Sequence, residues 1–176
     1  MKKLSLLTII FTSLFMLNCS IDDENSTAPS SSFELKPNDF RGTIQNGTVS
    51  LNPTENYKLT GALVVKEGAT LNIPAGTIIT AAAGTTTSAY IGVERGATIN
   101  ISGTASNPVV MTAETQSAGA WGGLAIAGYG ITNAGVDVTS EVGDLTYGGT
   151  DNTDSSGSIT YLRVEYTGAT FTNDKE

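Results

Sequence analysis

A nine-residue segment of this chain occurs twice, and the repeat limits which folds the chain can adopt. Residues 65–73 read V-K-E-G-A-T-L-N-I, and residues 93–101, 28 positions further on, read V-E-R-G-A-T-I-N-I. Beyond the repeat, residues 78–81 match residues 110–113 at an offset of 32, so the second copy holds four extra residues in a turn. Self-similarity of this kind is typical of proteins built from stacked, similar units.

Each copy of the repeat predicts a coil of short β-strands. Val65, Leu71 and Ile73 alternate with polar neighbours, which is the period of two that a half-buried strand shows. Gly68 interrupts the alternation at a turn, where glycine adopts a positive φ at little cost. After residue 20, no segment shows the apolar spacing of a helix, and β-branched residues dominate instead. The chain is therefore predicted to be all-β.

The repeat also predicts how the strands pack. A single coil cannot cover its own apolar face, so it must stack on a copy of itself. This favours a parallel β-helix with coils of roughly 20 to 30 residues. An antiparallel β-sandwich is the alternative, since it also has frequent turns. Further strands are predicted at residues 121–126 and 159–166, and the polar segment 131–158 between them is predicted to be a long excursion that carries a binding function.

The N-terminus predicts where the protein works. Lys2 and Lys3 precede an apolar run of about fourteen residues, and Cys19, the only cysteine, follows. This order is that of a bacterial lipoprotein signal, so we expect residues 1–18 to be removed and Cys19 to carry lipid. The run is shorter than the roughly twenty residues of a membrane-spanning helix. A simple secretory signal is the alternative, although no A-x-A-like cleavage site is present.

An acidic cluster follows the cysteine and indicates the membrane face. Ser20, Asp22, Asp23 and Glu24 resemble the export signal of surface lipoproteins of the Bacteroidetes, although a plain acidic spacer would have the same composition. We expect an outer-membrane protein displayed at the cell surface, with a periplasm-facing or secreted form as alternatives. Residues 19–42 are predicted to form a flexible tether because they hold few apolar side chains, and residues 43–176 the β-helix domain.

Composition argues against several classes of function. Removing residues 1–18 leaves 9 − 2 = 7 basic and 17 acidic residues, a net charge of −10. Such a surface repels nucleic acid, and its membrane attachment must come from acyl chains. The chain has no histidine. This excludes Ser-His-Asp and Cys-His arrangements and histidine-containing zinc sites within the chain.

Four segments together resemble a known family. They read G-A-T-L-N-I-P-A-G-T, A-W-G-G-L-A-I, L-T-Y-G-G-T-D-N-T-D-S-S-G and Y-L-R-V-E-Y-T-G. Across about residues 43–170 they are similar to Bacteroidetes surface lipoproteins with a right-handed parallel β-helix. The resemblance implies this fold and a cell-surface location, and it supplies no catalytic residue. Members of that family are typically longer, so we expect this chain to be a truncated form.

The second half of the chain holds the candidate site residues. Asp151 and Asp154 could offer oxygens to Ca²⁺, which takes six to eight oxygen ligands, although Asx turns explain the same composition. Trp121 could stack on a sugar ring, although a Trp beside two glycines also suits core packing. Arg163 and Glu165 share one face of a strand. They could polarise and deprotonate a uronate, although a salt bridge explains them better.

Two hypotheses about function follow, and neither assigns a catalytic residue. The leading one is a non-enzymatic, surface-anchored lipoprotein whose β-helix binds a glycan or a protein. The alternative is a carbohydrate-active enzyme or accessory subunit, similar to a polysaccharide lyase, on the same scaffold. We expect no cofactor, with calcium as the one candidate.

Overall fold

The regular structure of the chain consists of short β-strands. The structure, a computed structural model, describes residues 31–170. A 3₁₀ helix, Pro37–Asp39, precedes the strands. The strands are β1 (Phe40–Ile44), β2 (Thr48–Ser50), β3 (Asn56–Val65), β4 (Thr70–Pro74), β5 (Ile78–Ala81), β6 (Ile91–Val93), β7 (Thr98–Ser102), β8 (Val109–Ala113), β9 (Leu124–Ile126), β10 (Val138–Thr139), β11 (Thr146–Tyr147), β12 (Gly157–Thr160) and β13 (Leu162–Val164). The all-β prediction is confirmed for these residues.

The strands stack in three rows. The first row joins β2, β4, β7 and β12, in that order. The second joins the start of β3 to β5, β8 and β13. The third joins β1, the end of β3, β6 and β9. The chain visits the third, first and second rows in turn, so each circuit, called a coil below, adds one strand to each row.

The pairing is that of a parallel β-helix, and the β-sandwich alternative is wrong. Nine of the ten strand pairs in the described residues are parallel, and only β10 and β11 pair antiparallel. The sequence repeat is also the structural register. Thr70 pairs with Thr98 and Ile73 with Ile101, at the offset of 28. Ile78 pairs with Val110 at the offset of 32, so the four extra residues lie in the turn before β8.

Apolar side chains that point inward form ladders through the stack. Ile73, Ile101 and Ile159 occupy one such ladder, and Ile73 and Ile101 are fully buried. The alternate positions point outward, where Asn100 Nδ2 donates a hydrogen bond to Asn72 Oδ1 (3.0 Å). In the repeated pair N-I, the asparagine therefore points outward and the isoleucine points inward in each coil.

The glycine of each repeat makes the turn that the sequence predicts. Gly68 and Gly96 have φ values of +77° and +73°, in the left-handed region that glycine enters without steric cost. The two turns also stack, since Gly68 N donates to Gly96 O (2.9 Å).

The packed part of the chain begins before residue 43. Phe33 and Leu35 are partly buried against the core, and Phe40 in β1 is fully buried, with its ring 5.1 Å from that of Tyr57. Part of the segment that the composition assigns to a flexible tether, residues 33–42, is therefore packed: Phe33 and Leu35 lie against the core, and residues 40–42 belong to β1.

The later strands differ from their predicted bounds. In place of one strand over residues 159–166 there are two, β12 and β13, separated by Tyr161 at a φ of +45°. The chain turns there from the first row to the second, and the alternation of side chains shifts by one residue, since Ile159 before the corner and Leu162 after it both lie over core residues. The strand predicted at residues 121–126 is limited to β9, with Trp121 in a single bridge to Thr167.

The ladders predict that replacing an inward isoleucine lowers the free energy of unfolding far more than replacing an exposed one. Ile101→Ala leaves a cavity in the stack and is expected to lower the free energy of unfolding by about 2 to 5 kcal/mol. The matched control Ile131→Ala, whose side chain is 64% exposed, should change it by about 0.5 kcal/mol or less. Urea unfolding followed by circular dichroism measures both. Equal effects would contradict the inward position of Ile101.

Candidate functional site

A long segment leaves the coils between β9 and β12 and builds a small unit of its own. We call residues 127–156 the excursion loop. Strands β10 and β11 pair within it, and Ser140 closes their connection. Ser140 N donates to Leu145 O (2.8 Å), and Ser140 Oγ accepts from Leu145 N (3.0 Å). The predicted excursion, residues 131–158, is therefore present, and it has internal structure.

Glycines let the excursion loop lie against the third row. Leu145 is buried beside Gly92 of β6, where a Cβ would lie 3.4 Å from the Leu145 methyl carbons. Gly143 packs on the ring of Tyr90, and a Cβ there would lie 2.5 Å from a ring carbon. Burial raises the pKa of the Tyr90 hydroxyl, and the negative charge of Asp144 adds to that rise. The loop thus contacts the coils closely, and at Gly143 the contact with the Tyr90 ring leaves no room for a side chain.

Arg95 joins the coils to the excursion loop. Its Nη1 donates to Asp137 Oδ1 (2.7 Å) and to the backbone oxygen of Gly148 (2.6 Å). Its guanidinium carbon lies 4.7 Å from the centre of the Tyr129 ring, at cation–π distance. The Arg95 side chain is only 19% exposed. Gly148 is buried, so this guanidinium supplies a hydrogen bond that water cannot easily replace.

Arg95 stands where the two copies of the repeat differ in charge. Positions 66 and 67 are Lys and Glu in the first copy, whereas positions 94 and 95 are Glu and Arg in the second. Lys66 Nζ contacts Glu94 Oε1 across the coils at 2.5 Å. Glu67 lies over the neighbouring turn, with its Cγ 2.9 Å from where a Cβ of Gly96 would be. The stacked turns therefore present alternating charge toward the loop.

Two adjoining cavities lie between the excursion loop and these turns, and we call them together the cleft. They are about 200 and 420 Å³ in volume. The larger falls within the range of typical ligand sites. Arg95 and Tyr129 line both cavities. The other residues at the cleft are Glu67, Glu94, Asp144 and Thr146 in the smaller cavity, and Val136, Asp137, Gly149, Thr150 and Asp151 in the larger.

The two calcium candidates are engaged in turns of the excursion loop. Asp151 Oδ1 accepts from Thr153 N (2.8 Å) and Thr153 Oγ1 (2.7 Å), and these bonds lower the pKa of the Asp151 carboxyl. Asp154 Oδ2 accepts from Tyr129 N (2.7 Å). Within residues 31–170, no group of three or more His, Cys, Asp or Glu side chains could hold a metal ion. Asp151 nevertheless borders the cleft.

Trp121 lies in the core and cannot stack on a sugar in this arrangement. Its side chain is 0% exposed, and its Nε1 donates to the backbone oxygen of Glu165 (2.8 Å). The ring fills the inside of a coil corner, where Thr167 pairs with the Trp121 backbone. Tyr129 and Tyr147, the other aromatic residues of this region, line cavities beside the excursion loop.

Arg163 and Glu165 form a salt bridge on the outer side of the last coil. Arg163 Nε lies 3.0 Å from Glu165 Oε1, and neither residue lines the cleft. The pair is therefore separate from the carboxylates and the guanidinium that line the cleft.

The predicted anchor residues lie outside the described part of the chain. This applies to Cys19, Ser20, Asp22, Asp23 and Glu24. Among residues 31–170, no helix has the length and apolar content to cross a membrane.

Stacked parallel coils with a long loop over one row define the class of protein, a parallel β-helix. Comparison with known families agrees. The family described as pectate-lyase-like β-helix domain matches residues 42–176, and the chain belongs to that family. No curated protein and no solved structure gave a significant match.

Removing the guanidinium should loosen the excursion loop. Arg95→Met keeps the apolar stem and removes the bonds to Gly148 and Asp137. We expect the opening free energy of residues 127–156 to fall by about 1.5 to 3 kcal/mol, measured by amide hydrogen exchange. Arg163→Met breaks a more exposed ion pair and should change protection of the loop by less than about 0.5 kcal/mol. Unchanged protection in Arg95→Met would show that the loop is held by other contacts.

Proposed function

We propose that this chain is a surface lipoprotein of the type found in the Bacteroidetes, whose right-handed β-helix solenoid presents a ligand-binding cleft. The cleft between the excursion loop and the charged turns is the observation that carries the proposal. Membership of the β-helix family supports the scaffold. The N-terminal order of Lys2, Lys3, an apolar run and Cys19 supports the anchor.

Lipid attachment and surface display can be tested separately. Cells that express the full gene are labelled with palmitate and treated with protease while intact. We expect label in the wild type and none in Cys19→Ala, because the thiol of Cys19 carries the diacylglycerol. Replacing Asp22, Asp23 and Glu24 with Ala should keep the label and protect the protein from protease, since the export signal is lost. Label in Cys19→Ala would contradict the anchor, and protease sensitivity without the acidic cluster would contradict its role in export.

The charge of the cleft favours a neutral glycan as the ligand. Among the described residues, its lining holds the carboxylates of Glu67, Glu94, Asp137, Asp144 and Asp151 and one cation, Arg95. Arg95 is already bonded to Asp137 and to Gly148 O. The carboxylates offer acceptors, and the hydroxyls of Tyr129, Thr146 and Thr150 can both donate and accept. Carboxylates accept hydrogen bonds from sugar hydroxyls. A polymer of uronates would be repelled by a cleft with five acids and one base.

The binding proposal predicts selective recognition of neutral oligosaccharides. The protein, applied to immobilised neutral and uronate oligosaccharides, should bind members of the neutral set. Glu67→Gln is expected to weaken that binding about tenfold, because one acceptor of a hydroxyl becomes part donor. The control Glu114→Gln changes a carboxylate bound to Lys58 outside the cleft and should leave binding unchanged. Equal binding by the wild type and Glu67→Gln would contradict a role for the cleft.

A lyase is the second candidate, and the family description is what favours it. The matching domain is named for its likeness to pectate lyase, and Arg95, Glu67 and Glu94 line the smaller cavity together. Elimination from a uronate needs a cation near its carboxylate and a base for its proton. Incubation with polyuronates would then produce unsaturated ends that absorb in the ultraviolet. Such products, lost in Arg95→Met, would replace the binding proposal with the enzymatic one.

A further inference from the structure

The two cavities that form the cleft offer different surfaces to a ligand. Glu67, Glu94 and Asp144 bring carboxylates to the smaller cavity, whose lining is mostly polar. The larger cavity has a mostly apolar lining, although two carboxylates and a hydroxyl group border it. Arg95 and Tyr129 line both cavities, so a ligand that fills the cleft extends from a polar surface to an apolar one. We therefore expect its two ends to differ, with an apolar group at the end in the larger cavity.

Val136 supplies the aliphatic side chain of the larger cavity. It is 56% exposed, and the next residue, Asp137, is bonded to Arg95 in the turn between β6 and β7 (2.7 Å). This bond ties the loop beside Val136 to the middle of the stack. A methyl group of a ligand that covered Val136 would remove apolar surface from water on both partners, which favours binding.

Polar groups that suit an amide border the same cavity. Asp151 Oδ1 accepts both hydrogen bonds from Thr153, and within residues 31–170 no hydrogen bond falls on Asp151 Oδ2. This oxygen can accept from an N–H group of a ligand. The hydroxyl of Thr150 can donate to a carbonyl oxygen. The larger cavity thus combines an acceptor for N–H, a donor for C=O and an apolar contact for a methyl group.

We propose that the larger cavity selects an N-acetylated sugar unit, whose acetamido group lies against Val136. This inference rests on the proposed binding of neutral oligosaccharides in the cleft, and it names their class. The acetamido methyl packs on Val136, the N–H donates to Asp151 and the C=O accepts from Thr150. A plain hydroxyl lacks the methyl, and an O-acetyl or deoxy group lacks the N–H. The acetamido group is also uncharged, so the ligand stays neutral.

Three trisaccharides that differ only in the substituent at C2 test this selection. They are 1,4-linked units of N-acetylglucosamine, glucose and glucosamine, which carry an acetamido, a hydroxyl and an ammonium group there. Their affinity for the full chain in detergent is measured by titration calorimetry. We expect the acetamido trisaccharide to bind at least about tenfold more tightly than the hydroxyl one, because it gains a hydrogen bond to a carboxylate and a methyl contact.

A variant of Val136 identifies the contact. Val136→Thr keeps the shape of the side chain and replaces a methyl with a hydroxyl. It should weaken binding of the acetamido trisaccharide about fourfold, the effect of one buried methyl group, and leave the affinity for the hydroxyl trisaccharide unchanged. The control Val110→Thr makes the same replacement at a partly exposed position of β8 outside the cleft and should change neither affinity.

The other outcomes separate this inference from the proposed function. Equal affinity for the acetamido and hydroxyl trisaccharides overturns the selection and leaves the binding of neutral glycans in place. Tightest binding of the ammonium trisaccharide overturns it too, because charge would then decide. Failure of the acetamido trisaccharide to bind, when other neutral oligosaccharides do bind, overturns the selection alone. Failure of every neutral oligosaccharide to bind overturns the proposed function with it.

Discussion

The stacking of inward apolar side chains in register is the contact on which the rest of the structure depends. No coil buries its own face, and Ile73 is buried only because Ile101 lies over it. Register is strict, since a slip of one residue would turn every inward side chain outward. The stack resumes in register after the excursion loop. The chain returns so that Ser158 pairs with Asn100, 58 residues earlier, because the entropy of closing a loop grows only slowly with its length.

This dependence explains which parts of the fold could be predicted from the sequence. Thr70 and Thr98 occupy the same place in successive coils, so the repeat in the sequence is the register of the sheet. The corner at Tyr161 was missed because each side of it alternates like a strand, although the inward positions shift by one residue between Ile159 and Leu162. Phe33 and Leu35 could not be predicted. Two apolar residues in a polar segment are too few to define a period, and their burial depends on the core against which they pack.

The candidate site was less predictable than the fold because the excursion loop that forms it is not part of the repeat. Arg95 contacts Gly148 O, 53 residues away, through a loop with no copy elsewhere in the chain. One feature of the sequence does indicate the contact that Arg95 makes. The turns after Val65 and Val93 are alike except at the two positions where the charges change. A change of charge inside an otherwise repeated turn indicates a contact that only one coil makes. Trp121 lacked such a signal, since two flanking glycines suit a core corner and a sugar platform equally.

The residues that hold the coils together are not the residues that line the cleft. The coils are held by apolar ladders and by the outward amides of Asn72 and Asn100, and none of these residues lines the cleft. The loop contacts the coils through the Arg95 guanidinium, through Leu145 against Gly92 and through Gly143 against Tyr90. Side chains such as Thr150 and Val136, which border the cleft from the loop, can therefore change without disturbing a ladder. A scaffold of this kind separates stability from specificity, because the residues that line the cleft, on the turns and on the loop, lie outside the ladders.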